Sequence, residues 1–240
     1  MRRLLFCFFR GCVKLFYPKT TLFFDDSLFD TPLVFVGNHS QAHGPIVSQI
    51  TFPSSVYTWC ISEMLDKHKA GDYMYDTFWA PPGRHLKFFR VFSTLIAPLC
   101  ALLFTEANTV PVYLDKRLLT TFKKSISLLQ DGKQLIIFPE TEVADNAIVN
   151  RFHEPFVDLG KLYYKKTGKR LAFVPTYICP ERREIHTGKP VFYDPKNTPE
   201  EERTRITRYL SEQICETARS LPTHTVVPFL NTATPHKNNE

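Results

Sequence analysis

Two titratable residues follow short apolar runs in a way that suits proton transfer. Asn38-His39-Ser40 comes after Leu33-Val34-Phe35-Val36, and Phe138-Pro139-Glu140-Thr141 continues Leu135-Ile136-Ile137. An imidazole with an ordinary pKa near 6.5 is well suited at neutral pH to take a proton from an alcohol. Placed after a strand and before a helix, His39 also lies beside backbone N–H groups that can act as oxyanion donors. Lys116, Arg117 and Arg151 supply cations for a phosphate, arginine being the better bidentate partner. Moving an acyl group from a thioester to an alcohol is one reaction that needs such a base and such donors, and a phosphorylated substrate would need such cations. The thioester arrives activated, so no metal or redox cofactor is expected. Attack is expected to be direct, because no Gly-x-Ser-x-Gly elbow surrounds Ser40. Each residue also has a plainer reading: a capping or packed His39, a Glu140 held by a helix dipole, a solvated Lys116 and Arg117, a Val174-Pro175 that ends a strand.

The elements needed to position these residues are legible around them. Leu33–Val36, Leu135–Phe138 and Leu171–Val174 are continuous apolar runs, the mark of strands buried on both faces of a mainly parallel sheet. Thr20–Asp25 reads as a further strand. Leu118, Leu119, Phe122, Ile126 and Leu129 recur at helical spacing, and Asp131-Gly132 ends that helix. Thr198-Pro199-Glu200-Glu201 predicts a capped helix start, with Ile206, Leu210 and Ile214 on its inner face. The prediction is one α/β domain over 19–220, with a central sheet flanked by helices, and a loose polar tail over 221–240. Residues 1–18 form an amphipathic helix, in which Leu5, Phe8, Phe9, Val13 and Phe16 share a face rimmed by cations. That pattern fits a helix lying in the interface of an anionic membrane. The uncharged run Val91–Thr105 falls short of the roughly 18 apolar residues of a span and reads as a membrane-facing wall or acyl-chain gate. The location expected is the cytoplasmic face of a membrane, peripherally held.

In order along the chain, four blocks resemble the glycerolphosphate and lysophosphatidic-acid acyltransferase family. Asn38-His39 matches its first motif, Val110–Arg117 its second with a phosphate-binding arginine, Phe138-Pro139-Glu140 its third, and Val174-Pro175 its fourth. The resemblance implies His39 and Asn38 as catalytic residues, with Pro139, Glu140, Thr141, Pro175, Lys116, Arg117 and Arg151 around the substrate. It implies a donor of acyl-CoA or acyl carrier protein, a lysolipid or glycerolphosphate-like acceptor, and a place in phospholipid biosynthesis. Two positions depart from it: Gly44 stands where the family has Asp, and Thr141 follows Glu140 without the family's Gly. Restoring Asp at position 44 is expected to raise transfer, with Asp115, Glu140 and Asp145 as other carboxylates that could serve the ring. The alternative is a relative that binds lipid or acyl thioester without turnover. The stretch between His39 and Glu140 is longer than the family's and includes a turn at Trp79–Gly83.

Composition sets the bounds. Hydrophobic residues make up 43% and charged residues 22% of 240, ordinary for a globular chain. The charge of +6 and pI of about 9.0 fit an anionic surface or a phosphorylated substrate; no nucleic-acid partner is expected. Six cysteines form no CxxC pair, which argues against a zinc ribbon and a thioredoxin-type motif. His39 and His43 have the spacing of a metal pair on a helix. No clear third ligand lies nearby and Gly44-Pro45 argues against one continuous helix through both, so no metal is expected; a metal-dependent hydrolase using this pair is the second rival reading.

Overall fold

Water reaches neither face of the strands Leu33–Gly37, Gln134–Ile137 and Ala172–Cys179, in which every residue is buried. The computed structural model describes residues 2–25, 28, 31–40, 43–79, 87–141, 148–226 and 236–237. Its helices are α1 (Arg2–Phe16), α2 (His43–Thr51), α3 (Ala70–Met74), α4 (Lys87–Glu106), α5 (Leu118–Gln130), α6 (Asp158–Thr167) and α7 (Pro199–Ser220). Its strands are β1 (Thr21–Phe23), β2 (Leu33–Gly37), β3 (Val56–Ile61), β4 (Thr109–Val112), β5 (Gln134–Ile137), β6 (Ala172–Cys179), β7 (Glu184–Thr187), β8 (Val191–Phe192), β9 (Thr225–Val226) and β10 (His236–Lys237). The predicted α/β class with mainly parallel pairing and flanking helices is what the structure shows. The Trp79–Gly83 turn runs into 80–83, outside the described residues. Contacts group the chain into two compact units, Met1–Pro18 with Thr58–Thr121, and Lys19–Tyr57 with Phe122–Glu240.

In the larger unit the strands run β1-β7-β6-β2-β5, with β8 beside β6. β2 pairs in parallel with β5 and β6, β1 in parallel with β7, while β7 and β8 run antiparallel to β6. Pro175 does not end its strand as expected; β6 continues to Cys179. The reason lies in the ladder. β8 pairs with Ala172 and Phe173, and β7 pairs with Thr176 to Cys179, its last residue Thr187 lying opposite Thr176. Pro175 occupies the gap between them, where its carbonyl accepts the Gly188 N–H at 2.8 Å and its missing donor breaks no ladder bond.

The helices end where their sequences say. Gly132, with φ +72°, stops α5 in the left-handed conformation that glycine adopts without strain. Thr198 and Glu201 form the full capping box of α7, and Ile206, Leu210 and Ile214 are fully buried. Leu119 departs from its predicted face, at 62% exposed. Of the segment expected to be loose, 221–226 and 236–237 are described, and His224 and Val226 there are buried. The His224 Nδ1 lies 2.8 Å from the Pro222 carbonyl, which only accepts, so Nδ1 holds the proton. Nε2 then accepts from the Tyr177 hydroxyl at 2.7 Å.

In the smaller unit β3 and β4 pair in parallel from Thr58 to Ile61. α4 packs against α3 with small side chains: Ser93, Ala97 and Ala101 are buried, and Gly71 brings the two backbones close. A Cβ at Gly71 would lie 3.1 Å from the Thr94 Cα. Phe88, Val91, Phe92, Leu95 and Leu99 form the opposite, exposed stripe, and α1 packs beside α4. Leu4, Leu5, Phe8, Val13 and Leu15 of α1 are exposed as well. α4 has 20 residues and a window of mean hydropathy 1.8, only 17% of it buried. By length and composition it is enough to cross a membrane, which corrects the reading of Val91–Thr105 as too short; the helix adds Lys87–Arg90 and Glu106 to the run.

Candidate active site

Val36 is in register with Ile137 on one side and Pro175 on the other. The segments that leave β2 and β5 therefore emerge at one edge, beside the later residues of β6. Carboxyl ends of parallel strands are where α/β sheets commonly bind ligands. Asn38, 4% exposed, pairs with β6 through its side chain. Its Oδ1 accepts the Ile178 N–H at 2.7 Å, and its Nδ2 donates to the Ile178 carbonyl at 3.0 Å and to Ser40 Oγ at 2.8 Å. The amide thus acts as an extra rung of the sheet and fixes the start of the turn. Ser40 then adopts φ 43°, an uncommon conformation for a residue with a side chain.

The turn closes tightly. The His43 N–H donates to the Ser40 carbonyl at 3.2 Å, and the Gly44 N–H to the His39 carbonyl at 3.1 Å. A Cβ at Gly44 would stand 2.5 Å from that carbonyl oxygen and 3.0 Å from the one of Asn38. The position where the resemblance expects Asp therefore has no room for a side chain in this turn. Gly37 plays a smaller steric role, leaving space for the Phe138 ring, which meets the His39 ring edge-on at 5.7 Å.

Glu140 reaches the same turn from β5. Its Oε2 accepts the His39 N–H, and its Oε1 accepts the Asn150 N–H at 2.7 Å. Burial pushes the carboxyl up to about 7, against the pull of the two amides, which favour the ionised form. Around it, residues 139–141 pair with 151–153: Thr141 N–H to the Arg151 carbonyl at 2.8 Å, His153 N–H to the Pro139 carbonyl at 2.7 Å, and a bridge between Glu140 and Phe152. Cys215 of α7 accepts the Val149 N–H, and burial raises its pKa.

The expected site residues are thus distributed unevenly. Asn38, His39, Pro139, Glu140, Thr141, Arg151 and Pro175 all belong to the larger unit, Pro175 inside β6 and the rest at the strand ends or on the paired segments. Thr141 Oγ1 donates to the Arg151 carbonyl at 2.9 Å. The Arg151 side chain is 80% exposed, with Glu154 at 3.8 Å. Lys116 and Arg117 belong to the smaller unit. Arg117 grips Asp115 through Nε and Nη2, at 2.7 Å for the shorter contact, and lies over the Tyr113 ring at 4.4 Å. That grip holds the Asp115 carboxyl down at about 2. Asp115 is therefore engaged by Arg117, while Asp145 lies outside the described residues.

The oxyanion expectation is narrowed by the same bonds. The N–H groups of His39, His43 and Gly44 are all engaged, and Pro45 has none. Gln41 and Ala42 lie outside the described residues. Among the described residues no three His, Cys, Asp or Glu side chains are grouped to hold a metal. Sequence reasoning missed Asn150 and Ile178, which act through backbone atoms that any residue supplies; only strand register could have found them.

No family model and no curated protein matches the chain. Among solved structures it is similar to the crystal structure of the 1-acyl-sn-glycerophosphate (LPA) acyltransferase, PlsC, from Thermotoga maritima. The two share 15% identity at a TM-score of 0.49, over 90% of this chain and 79% of that one.

Proposed function

We propose that this chain transfers a fatty acyl group from a thioester to a hydroxyl of a lysolipid or glycerolphosphate-like acceptor, with His39 as the base. One observation carries the reading: Asn38-His39 and Pro139-Glu140 leave adjacent parallel strands at one edge and are hydrogen-bonded there. His39 takes the acceptor's hydroxyl proton as the oxygen attacks the thioester carbonyl. The tetrahedral intermediate collapses with loss of the thiolate, which receives that proton from the imidazolium. Arg151, exposed on the segment paired with Glu140, is the cation best available to an acceptor phosphate. The donor is acyl-CoA or acyl carrier protein, and no other cofactor enters the balance.

The membrane setting is supported by the smaller unit. A helix that turns Ser93, Ala97 and Ala101 inward and five large apolar residues outward is arranged for lipid rather than water. Arg10 and Lys14 on α1 add cations for anionic headgroups. We place the protein at the cytoplasmic face of a membrane.

The test is incubation of purified protein with acyl thioesters and a mixed lysolipid extract, read by mass spectrometry. New diacyl product is expected, and His39→Ala should lower its rate by roughly 10²–10⁴-fold. Transfer by His39→Ala within a few-fold of the parent would remove His39 from the mechanism. A second reading, binding of lipid or acyl thioester without turnover, is favoured by one feature: no side chain fits at position 44 to assist the imidazole. Thioester bound but never consumed across the panel would select it.

A further inference from the structure

We infer that Glu140 is a positioning residue for His39 rather than a ligand of the acceptor: its carboxylate ties the backbone of the base to the segment around Asn150. The inference rests on the acyl-transfer reading above for its catalytic consequence, and on geometry alone for the tie itself.

Both carboxylate oxygens point at main-chain amides from separate parts of the chain. His39 lies 101 residues away in sequence and Asn150 ten. Two N–H donors require two acceptors, and a carboxylate is the side chain that offers two at this spacing. Glutamine offers one acceptor and turns an N–H₂ donor toward the other amide. Aspartate keeps both acceptors but is one methylene short of spanning the pair.

The peptide groups of the base are therefore held on both sides. Its N–H is held by Glu140, its carbonyl by the Gly44 N–H, and the residue before it by Ile178 of β6. Of these three anchors only Glu140 ionises. A ligand role fits the chemistry poorly, because a phosphorylated acceptor is an anion and would meet a second negative charge.

The tie is sensitive to acid. As pH falls through about 7 the carboxyl takes a proton, and one of its two acceptors becomes a hydroxyl donor facing an N–H. Among the described residues, the titratable or charged groups on the elements packed against it are His39 and His43 on the turn after β2, Arg151 and His153 on the paired segment, and Cys215 on α7. The thiol stays neutral through this range, since burial raises its pKa. The acid limb of transfer therefore contains two protons, one on the imidazole and one on Glu140.

The experiment compares the full chain with Glu140→Gln by amide hydrogen exchange and by steady-state kinetics across neutral pH. In the variant, exchange is expected to rise at both the His39 and Asn150 segments. With transfer measurable, kcat should fall on the order of 10²-fold while the acceptor KM holds, as misplacement of a catalytic group predicts. The acid limb of log kcat should change from a slope of two to a slope of one, which a purely structural defect does not produce. Unchanged exchange at both segments overturns the inference, and so does a rise in KM with kcat preserved. Should Glu140→Gln fail to fold, Glu140→Asp serves: it keeps the charge, and exchange should rise at only one of the two segments. If the parent shows no transfer with any lysolipid but exchange responds as expected, the tie stands and the acyl-transfer reading fails.

Discussion

A carbon added at position 44 would overlap the carbonyl oxygen of the residue proposed as the base. The sequence argument for restoring Asp there treats the position as a vacancy beside the imidazole, whereas the turn is closed too tightly for any Cβ. Gly44→Asp and Gly44→Ala should therefore both lower transfer, and to similar degrees, because the backbone shift is common to them. An increase in kcat for Gly44→Asp alone would show that the turn opens readily. Glu140 makes a second residue-level prediction, on stability. Its folded pKa of about 7 lies above the ordinary carboxylate value, so between roughly 4.5 and 7 the folded state holds a proton that the unfolded state releases. The resulting stabilisation is complete below that window and is lost as pH rises through 7. Thermal melts of Glu140→Gln should lack that part of the slope, up to a few kcal/mol over the window. A variant with the parent's full pH slope would assign it elsewhere. The form of Glu140 that stabilises the fold is thus not the form that holds His39. Residue types were legible here because the chemistry is in the side chains; the partners were not, because Asn150 and Ile178 contribute peptide groups.

Elements were legible wherever burial was one-sided or complete. The capping box at Thr198 was explicit in four residues, and Thr198→Ala should cost about 1 kcal/mol, measurable by denaturant unfolding with the m-value unchanged. The reading of Pro175 as a strand end failed because a proline's effect depends on what faces it, and its neighbour strands happen to leave a gap there. The uncharged run Val91–Thr105 is shorter than α4 because Lys87, Arg90 and Glu106 sit at the ends of the helix. Replacing Phe88 and Leu95, 73% and 74% exposed, by glutamate should leave the melting curve nearly unchanged and sharply reduce sedimentation with anionic vesicles. Full retention on vesicles would move the contact to α1, where removal of residues 1–17 tests it next.

At the scale of the whole chain, no linker or shift in composition marks residues 58–121 as clustering apart from the segments on either side. Contact grouping depends on which faces pack together, and local periodicity does not record that. Of the strands around the proposed base, β1 and β2 lie before residue 58 and β5 to β8 after residue 121. That division has a consequence in time. β2 has its partners in β5 and β6, and the Asn38–Ile178 bonds close a loop of 140 residues. Closing such loops must precede the contacts that reward it, so folding of this unit should be slow for its size. During synthesis β2 emerges early, apolar and unpaired, and waits while the intervening segment is made. Until β5 arrives it is a strand with two open edges, and until β6 arrives it keeps one, the states in which a chain aggregates or calls on a chaperone.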